Sequence, residues 1–490
     1  MRTAAVRAQE RQQQSLSTTP LMALAGLSAA RLAMALAPHA QRVWIAAGPG
    51  NNGGDGLEAA CHLHQWGIPV QVSLIGSPSE LPDDAHAAWQ NAVNLGVPIG
   101  QDLPLDWLHQ MSPHDLCIDA LLGIGSKRAP SPAMQAWIEG MNQCASPVLA
   151  LDLPTGLDAD SGQIWGGVPT ANNVVWATHT LTLLAAKPGL LMGQGRDVCG
   201  EIWLDSLTSA CPPNIPLPQA DAWLNPPARP EFKSHASHKG SHGDVAIVGG
   251  ETKARRGMGM SGAAILAAQA TLHGGAGRVF LSLLEASRES SAAPWDVMQR
   301  NFDQLPLPQL TVVAGCGGGQ AIHGVLADIL KHSARLVLDA DGLNAVAENP
   351  GFRAMLRARG QGEGQRPTII TPHPLEAARM LGCTSTTVQQ DRLLAAETLS
   401  AELQCTVILK GSGTIIASPG EVSRINTSGN GALAIGGTGD VLAGLTGALL
   451  AQGNSAHAAA SMAAWRHGAS ADHWPQNEPL TASQLARHLL

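Results

Sequence analysis

Residues 43–56 read VWIAAGPGNNGGDG, a short apolar run that leads directly into a glycine-rich segment. A fully apolar run of this length that ends at glycine and proline predicts a buried strand over residues 43–47. The glycines predict a tight turn over 48–56, and the residues after it predict a helix from Leu57 to Trp66. A strand, a turn and a helix in this order begin the alternation that is typical of a parallel sheet covered on both faces.

The same alternation continues along the chain and is interrupted once. Seven prolines between residues 211 and 230 break both helix and strand, so we expect a linker over 211–234. It would separate one α/β domain over 1–210 from a second over 235–490. The further predicted strands are 70–75, 116–118, 148–151, 181–184 and 202–204 in the first domain, and 245–248, 279–283, 311–314, 336–338, 368–370 and 407–409 in the second, which also has Ala-rich helices at 261–273 and 440–451.

Composition and charge narrow the classes of function. The chain has 490 residues, of which 44% are hydrophobic and 14% charged, and its formal net charge is −8. These values are typical of a globular protein with two or three cores. They argue against a protein that coats nucleic acid, because such a protein needs a basic face. A nucleotide substrate is still compatible with them. The chain has no tyrosine, so acid–base roles fall to other residues.

The cysteines and the N-terminal segment indicate the cellular compartment of the protein. The eight cysteines include no CxxC pair and are typical of small buried residues in a reducing cytoplasm. The apolar run from Leu21 to Ala30 is ended by Arg31, whereas a membrane span needs about 20 residues. Glu10 interrupts the basic residues that a signal peptide would carry ahead of such a run. We therefore expect two amphipathic helices broken near residues 17–20, and no membrane partner.

The segment 48–56 matches the GxGxxG spacing of dinucleotide-binding loops, but this match is weak alone. That fingerprint also needs an acid at the tip of the next strand, and the strand over 70–75 ends in Ile75 and Gly76 without one. Asn51, Asn52 and Asp55 instead add side-chain oxygens to a loop whose amides can bind phosphate. The alternative is that the glycines only permit a tight turn.

Two later predicted strands end in acids. Asp119 begins the stretch DALLGIG, and Asp152 begins DLPTG. Because ligands gather at the carboxyl ends of parallel strands, we expect both acids in one crevice with the segment 48–56. Oxygens of Asn52, Asp119 and Thr155 would suit a hard cation. Helix capping is the alternative role for each acid. Three such loops at strand ends favour a shared ligand site over capping.

Together these stretches resemble the NAD(P)HX epimerase family, the YjeF type of N-terminal domain. The matching motifs are GPGNNGGDG at 48–56, DALLGIG at 119–125, DLPTGLDADSG at 152–162 and KPGL at 187–190. The family interconverts the R and S forms of NADHX and NADPHX, nicotinamide cofactors hydrated on the ring. Thr155 stands where the family usually has serine, and Thr178 where it commonly has an acid.

This resemblance implies a doubly wound, three-layer, Rossmann-like domain with a potassium ion bound by Asn52, Asp119 and Thr155. Asp152 would be the catalytic acid that polarises the hydrated ring. The residues implied to bind the substrate are Asn51, Asn52, Gly53, Gly54, Asp55, Gly123, Ile124, Gly125, Ser126, Lys127, Arg128, Ala129 and Asp152.

A second glycine-rich segment, GGTG at 436–439, precedes Asp440 and a helix of small residues. Successive unhindered amides at a helix N-terminus form an anion hole, and an aspartate just inside it can take a hydroxyl proton during phosphoryl transfer. Helix capping is again the alternative. Lys239 and Lys410 lie in glycine-rich loops next to strands and are candidates for binding phosphate. The sequence contains no GxxxxGK[ST], which excludes a P-loop enzyme.

This segment resembles the ribokinase-like superfamily, and five other motifs make the second domain similar to the ADP-dependent NAD(P)HX dehydratases. They are HKGSHGDV at 238–245, GAAIL at 262–266, DADGLN at 339–344, TPHPLE at 371–376 and KGSGT at 410–414. The loop GCGGG at 315–319 departs from the family's GPGLG-like pattern. A histidine after Thr-Pro, such as His373, has the alternative role of only satisfying backbone groups.

The resemblance implies a doubly wound, ribokinase-like domain that uses ADP with a magnesium ion. The residues implied to contact the hydrated cofactor are Ala263, Gly317, His373 and Asp440, the last as catalytic base. Those implied to contact ADP are Lys410, Gly411, Ser412, Gly413, Thr414 and Gly439.

The resulting hypothesis is a bifunctional isomerase and lyase that repairs hydrated nicotinamide nucleotides. One domain would epimerise R- and S-NAD(P)HX, and the other would dehydrate the S form with ADP, giving NAD(P)H, AMP and phosphate. We expect a cytoplasmic homo-oligomer that binds neither nucleic acid nor membrane. Two alternatives are a kinase fused to an unrelated domain, and an N-terminal domain that serves as a protein or RNA adaptor.

Overall fold

The computed structural model describes residues 1–209, 211, 219–229, 234–251, 259–284, 293–362, 364–475 and 477–490. The chain divides into two compact units, Met1–Asp221 and Ala222–Leu490. The division falls inside the predicted linker, of which residues 212–218 and 230–233 lie outside the described residues.

The first unit is built on a seven-stranded parallel sheet with the order β3-β2-β1-β4-β5-β6-β7. The strand order reverses between β1 and β4, and doubly wound sheets bind ligands in the crevice at such a reversal. Both faces of β1 and β4 are buried, which explains their continuous apolar runs. The strands are β1 (Val43–Ala47), β2 (Val70–Leu74), β3 (Ile99–Gly100), β4 (Leu116–Ala120), β5 (Val148–Leu151), β6 (His179–Leu183) and β7 (Glu201–Asp205). All except β3 were predicted.

The glycine-rich segment differs from its prediction, because residues 51–56 form the first turns of a helix and not a loop. The glycines allow this helix to lie close to the sheet: a Cβ at Gly53 would be 2.0 Å from the Gly48 carbonyl oxygen, and one at Gly56 would be 2.6 Å from Cβ of Ala120. The helices of this unit are Thr3–Leu16, Leu21–Leu36, Asn51–Gln65, Asp83–Asn94, Leu105–Gln110, Pro132–Gln143, Pro188–Leu191 and Gly195–Val198.

The two N-terminal helices were predicted with their break. Among the residues that the structure describes, no single helix has the length and apolar composition needed to cross a membrane. Thr3–Leu16 and Leu21–Leu36 reach that length and composition only as a pair, and they are bent by 106° relative to each other.

The second unit contains a ten-stranded sheet with the order β11-β10-β9-β12-β13-β14-β15-β16-β17-β8. Strand β16 is antiparallel to both of its neighbours, whereas the other pairings are parallel. The strands are β8 (Ala222–Leu224), β9 (Asp244–Gly249), β10 (Arg278–Leu283), β11 (Met298–Gln299), β12 (Thr311–Ala314), β13 (Arg335–Leu338), β14 (Thr368–Ile370), β15 (Thr406–Leu409), β16 (Thr414–Ala417) and β17 (Ser423–Asn426).

The helices of the second unit include both predicted Ala-rich ones, over 261–273 and from residue 438 to 451. They are Ser261–His273, His323–His332, Asp341–Glu348, Pro350–Ala358, Pro374–Leu381, Ser385–Gln390, Arg392–Leu403, Thr438–Ala451, Ala456–Asp472 and Ala482–Arg487. Strand β8 is a difference from prediction, since it lies in the segment expected to be a linker. Its residues contain no proline and form an edge strand along β17, and an edge strand pairs on one side only.

Candidate functional sites

A cavity of about 1180 Å³ lies in the first unit, at the carboxyl ends of β1, β4, β5 and β6. The structure brings most of the predicted substrate-binding residues together here. Gly53 and Gly54 are outside the lining, because Gly53 packs on Gly48 and a Cβ at Gly54 would be 2.6 Å from Sδ of Met22. The predicted residues that line the cavity are Asn51, Asn52, Asp55, Gly123, Ile124, Gly125, Ser126, Lys127, Arg128, Ala129 and Asp152.

Asp119 and Thr155, two of the predicted cation ligands, are joined below the cavity. Oδ1 of Asp119 accepts hydrogen bonds from Oγ1 of Thr155 at 2.8 Å and from the amide of Leu121 at 3.1 Å, and Oδ2 accepts one from the amide of Thr155 at 2.8 Å. Burial raises the pKa of Asp119 to about 6, and the hydrogen bonds from Thr155 oppose this shift. Thr155, which stands where the family pattern has serine, keeps a side-chain hydroxyl, and this hydroxyl pairs with Asp119.

Asn52, the third predicted ligand, is a buried amide without a partner. Its side chain is close to the loop that follows β4, since a Cβ at Gly123 would be 3.4 Å from Cγ of Asn52. Within the described part of the chain, neither Oδ1 nor Nδ2 of Asn52 has a hydrogen-bond partner. A buried polar group left unpaired is costly, so this amide fits a site that a ligand completes. Amide, hydroxyl and carboxylate oxygens are the donors that a hard cation prefers.

Asp152 is held by Lys187, a residue for which the sequence alone indicates no role. The Nζ of Lys187 donates to Oδ1 of Asp152, to Oγ1 of Thr182 at 3.0 Å and to the carbonyl of Leu183 at 2.7 Å. Oδ2 of Asp152 accepts from the amide of Ile124 at 3.3 Å. The sequence offered one signal, a single lysine shortly after the predicted apolar strand over 181–184. A buried ammonium at such a position needs an acidic partner.

The N-terminal helix Thr3–Leu16 supplies two further cavity residues that sequence reasoning missed, Arg7 and Glu10. Arg7 is close to the loop after β4, since a Cβ at Gly125 would be 3.5 Å from its Nη2. Burial raises the pKa of Glu10 and that of Asp55, and the charge of Asp152 adds to both shifts. No local motif marks these residues, so only the fold reveals them.

In the second unit, Asp339, Lys410 and Asp440 come together at the carboxyl ends of β13 and β15. The Nζ of Lys410 donates to Oδ1 of Asp339 at 2.7 Å and is 3.8 Å from Oε2 of Glu376. Burial and the charge of Asp339 raise the pKa of Asp440 to about 6, while Lys410 opposes the shift. A Cβ at Gly439 would be 3.5 Å from Nζ of Lys410, so this predicted ADP contact is at the same place.

His373 caps the helix Pro374–Leu381, as the alternative interpretation proposed. Its Nδ1 accepts from the amide of Leu375 at 3.1 Å, and its own amide donates to Oε2 of Glu376 at 2.8 Å. Nε2 is 3.3 Å from Oε1 of the same glutamate. Burial and the charge of Lys410 lower the pKa of His373, which favours the neutral ring.

The loop at 315–319 brings together Gly317 and Ala263, two of the residues that the resemblance implies contact the hydrated cofactor. Gly317 has φ of +58°, and a Cβ there would be 3.0 Å from Cβ of Ala263. Cys316, which marks the departure from the family pattern, is buried with its Sγ within 4.8 Å of carboxylate oxygens of Asp339 and Asp440. No sequence motif marks this cysteine as functional.

The predicted ADP loop at 410–414, which includes Ser412, is organised by Arg392. This buried guanidinium donates to the carbonyls of Leu409 at 3.3 Å, Lys410 at 3.2 Å and Gly413 at 3.4 Å. Thr414 donates from Oγ1 to the carbonyl of Gly411 at 3.0 Å. Lys239 precedes β9 and so lies at the opposite edge of the sheet from Lys410. Lys239 and Lys410 therefore do not belong to one phosphate site.

Comparison with known proteins matches both units. A family model described as NAD(P)H-hydrate dehydratase matches residues 245–490, and one described as YjeF-related protein N-terminus matches residues 18–189. The bifunctional NAD(P)H-hydrate repair enzyme Nnr of Escherichia coli (strain K12) is 34% identical over 93% of this chain and 85% of its own length. The enzyme of the same name from Vibrio cholerae is 34% identical over 96% of this chain and 92% of its own length.

Two solved structures resemble the chain over about half of its length. The ADP/ATP-dependent NAD(P)H-hydrate dehydratase from Bacillus subtilis, co-crystallized with ATP/Mg²⁺, is 26% identical, covers 52% of this chain and 90% of its own, and has a TM-score of 0.42. A ribokinase-like superfamily protein from Enterococcus faecalis is 22% identical, covers 52% of this chain and 88% of its own, and has a TM-score of 0.44.

Proposed function

The chain belongs to the family of bifunctional NAD(P)H-hydrate repair enzymes, and from that premise we propose which residues perform each activity. Epimerisation of R- and S-NAD(P)HX is assigned to the cavity of the first unit. Dehydration of the S form with ADP is assigned to the cluster of Asp339, Lys410 and Asp440 in the second. The observation that carries the assignment is that each matched region contains a polar site at the carboxyl edge of its own sheet.

In the first site, Asp152 is the group that polarises the hydrated ring. Its Oδ2 faces the loop Gly123–Ala129 inside the cavity, where the substrate would lie. Potassium would be held by Asn52, Asp119 and Thr155, and it would supply a fixed positive charge beneath that loop. The unpartnered amide of Asn52 and the paired oxygens of Asp119 support this donor set.

In the second site, Asp440 takes the proton of the ring hydroxyl, and the oxygen attacks the β-phosphorus of ADP. The bond from this phosphorus to the oxygen that bridges it to the α-phosphorus breaks, and AMP leaves. The ring C–O bond then breaks, phosphate departs, and loss of a ring proton restores the conjugation of NAD(P)H. Lys410 and the amides at 436–439 would bind the phosphates.

Magnesium bound with ADP would neutralise phosphate charge in this second site. A magnesium ion is usually held by one or two carboxylates together with substrate phosphates, and Asp339 offers such a carboxylate next to Lys410.

One assay tests the proposal. The purified chain is incubated with mixed R- and S-NADHX and ADP, and the absorbance of regenerated NADH is followed. We expect conversion of both epimers, since each R molecule can be epimerised before it is dehydrated. A stable phosphorylated product formed from ATP without loss of NADHX would instead support the kinase alternative. Failure to form NADH from S-NADHX would contradict the assignment of the second site, and failure to exchange the epimers would contradict that of the first.

Location and assembly are parts of the same proposal. All eight cysteines are free thiols, which suits a reducing cytoplasm. We expect copies of the chain to form a homo-oligomer, which light scattering on the eluted protein measures directly.

A further inference from the structure

Lys187 has used all of its hydrogen-bonding capacity inside the protein. A lysine ammonium has three N–H donors and no acceptor. Here the three donors point to Asp152, Thr182 and the carbonyl of Leu183. The side chain has no exposed surface. Lys187 therefore has no donor left for a substrate, although it contributes to the wall of the cavity.

A buried ammonium also needs an opposite charge, which here comes from Asp152. The two groups form an ion pair in which the side chain of Asp152 keeps 11% of its surface exposed. Breaking such a pair by removing one partner leaves an uncompensated charge and is strongly unfavourable. The pair therefore fixes one oxygen of Asp152, Oδ1, and leaves Oδ2 towards the amide of Ile124.

The backbone of Asp152 adds to this constraint. Asp152 has φ of +69°, a left-handed conformation that an L-residue rarely adopts, and its amide donates to the carbonyl of Leu181 at 2.7 Å. Such conformations persist where surrounding contacts over-determine them, and they cluster at functional sites. The position of this carboxylate is thus set from both its backbone and its side chain.

Other titratable groups surround the pair. Glu10 from the helix Thr3–Leu16 and Asp55 from the helix Asn51–Gln65 both interact electrostatically with Asp152 and Lys187. Glu58 acts on Asp55, and the α-amino group of Met1 interacts with Lys187. Among these acids, Asp152 is the one that the ammonium contacts directly.

We propose that Lys187 is a positioning residue for the epimerisation, which holds Oδ1 of Asp152 so that Oδ2 is presented to the hydrated ring. This inference rests on the proposed epimerase function of the same cavity. Lys187 does not touch the substrate, so its removal should impair turnover more than binding.

The test replaces Lys187 in the full-length chain and measures R-to-S exchange of NADHX by chromatography. Lys187→Met should lower kcat by about 100-fold, because a catalytic group displaced by about 1 Å can lose that much, and should change KM by less than about threefold. Lys187→Ala should regain part of kcat when methylammonium or ethylammonium is added, since a small ammonium can occupy the vacated space. A merely structural role would not produce this saturable rescue.

Lys127 provides the matched control, because it lines the same cavity on the loop expected to bind the substrate. Lys127→Met should raise KM, whereas Lys187→Met should not. If the Lys187 variants fail to fold, Thr182→Val is used in their place. It removes one acceptor but keeps the ammonium, and it should lower kcat by about tenfold.

The outcomes separate the two proposals. If the wild-type chain does not exchange the epimers, the proposed function of the cavity fails. If the wild-type chain does so and Lys187→Met or Thr182→Val retains the wild-type kcat, the positioning role is refuted. A fall in kcat accompanied by an equally large rise in KM, without rescue by an alkylammonium, would also refute it.

Discussion

Burial and neighbouring charges set the pH range over which Asp440 is ionised and able to act as a base. Its pKa is raised to about 6 by burial and by Asp339, and the cation of Lys410 opposes the shift. A base must be ionised, so kcat/KM for dehydration should fall about tenfold per pH unit below about pH 6. Lys410→Met removes the opposing charge and should move this limb to higher pH. Initial rates of NADH formation from S-NADHX and ADP measure both effects.

The outcome that would contradict this assignment is specific. A limb that stays at the ordinary aspartate range near pH 4 would mean that Asp440 is not the titrating base. A limb that Lys410→Met leaves unchanged would mean that the two side chains are not coupled.

The proposed potassium site at Asn52 and Asp119 predicts that potassium stabilises the first unit against thermal unfolding. A cation that binds only the folded state stabilises it, by about 2.7 kcal/mol at 100 times its dissociation constant. Potassium chloride should therefore raise the Tm of the first unit relative to choline chloride at equal ionic strength. Asp119→Asn removes the charged ligand and should abolish the difference. Equal melting in both salts would contradict the potassium site.

At the scale of elements, glycines set how closely two helices of the second unit approach. A Cβ at Gly444 in the helix Thr438–Ala451 would be 2.1 Å from the carbonyl oxygen of Ala267, which belongs to the helix Ser261–His273. Backbone cannot move aside as a side chain can, so Gly444→Ala should destabilise the second unit by about 1–3 kcal/mol. Loss of dehydratase activity with increasing urea reports on this unit.

Gly262 supplies the control within the same pair of helices. It lies in the first turn of Ser261–His273, and a Cβ there would have nothing within 4 Å. Gly262→Ala should therefore be neutral or stabilising by up to about 1 kcal/mol, since alanine favours the helix. Similar effects at the two positions would show that contact with Ala267 does not limit the approach of the helices.

The elements also show where sequence reasoning succeeded and where it did not. Continuous apolar runs such as residues 43–47 and 311–314 identified central strands, because both faces of these strands are buried. The strands β16 and β17 were missed, and residues 51–56 were wrongly expected to be a loop. In that segment the glycines serve close packing against β1 and β4, and local sequence does not distinguish this use from a turn.

The site residues likewise divide into those that the sequence identifies and those that only the fold reveals. Asp152 and Lys410 follow predicted strands, and Asp440 begins a predicted helix after a glycine-rich segment, so the sequence was enough to nominate them. Lys187 and Arg7 reach their site through contacts over long sequence separations. Lys187 is 35 residues from Asp152, and no periodicity encodes that distance. Pairing of that kind depends on strand order, which apolar runs alone do not determine.

At the scale of the whole molecule, the chain carries two sites that act in series on one substrate, and this arrangement can be tested in trans. Asp152→Asn should dehydrate S-NADHX normally but convert R-NADHX only as fast as it epimerises spontaneously. Asp440→Asn should exchange the epimers yet form NADH several orders of magnitude more slowly. Because the substrate diffuses freely between molecules, mixing the two variants with R-NADHX and ADP should restore NADH formation. Absence of restoration would mean that the two activities depend on each other within one chain, so the rate of the mixture decides whether the units are independent catalysts.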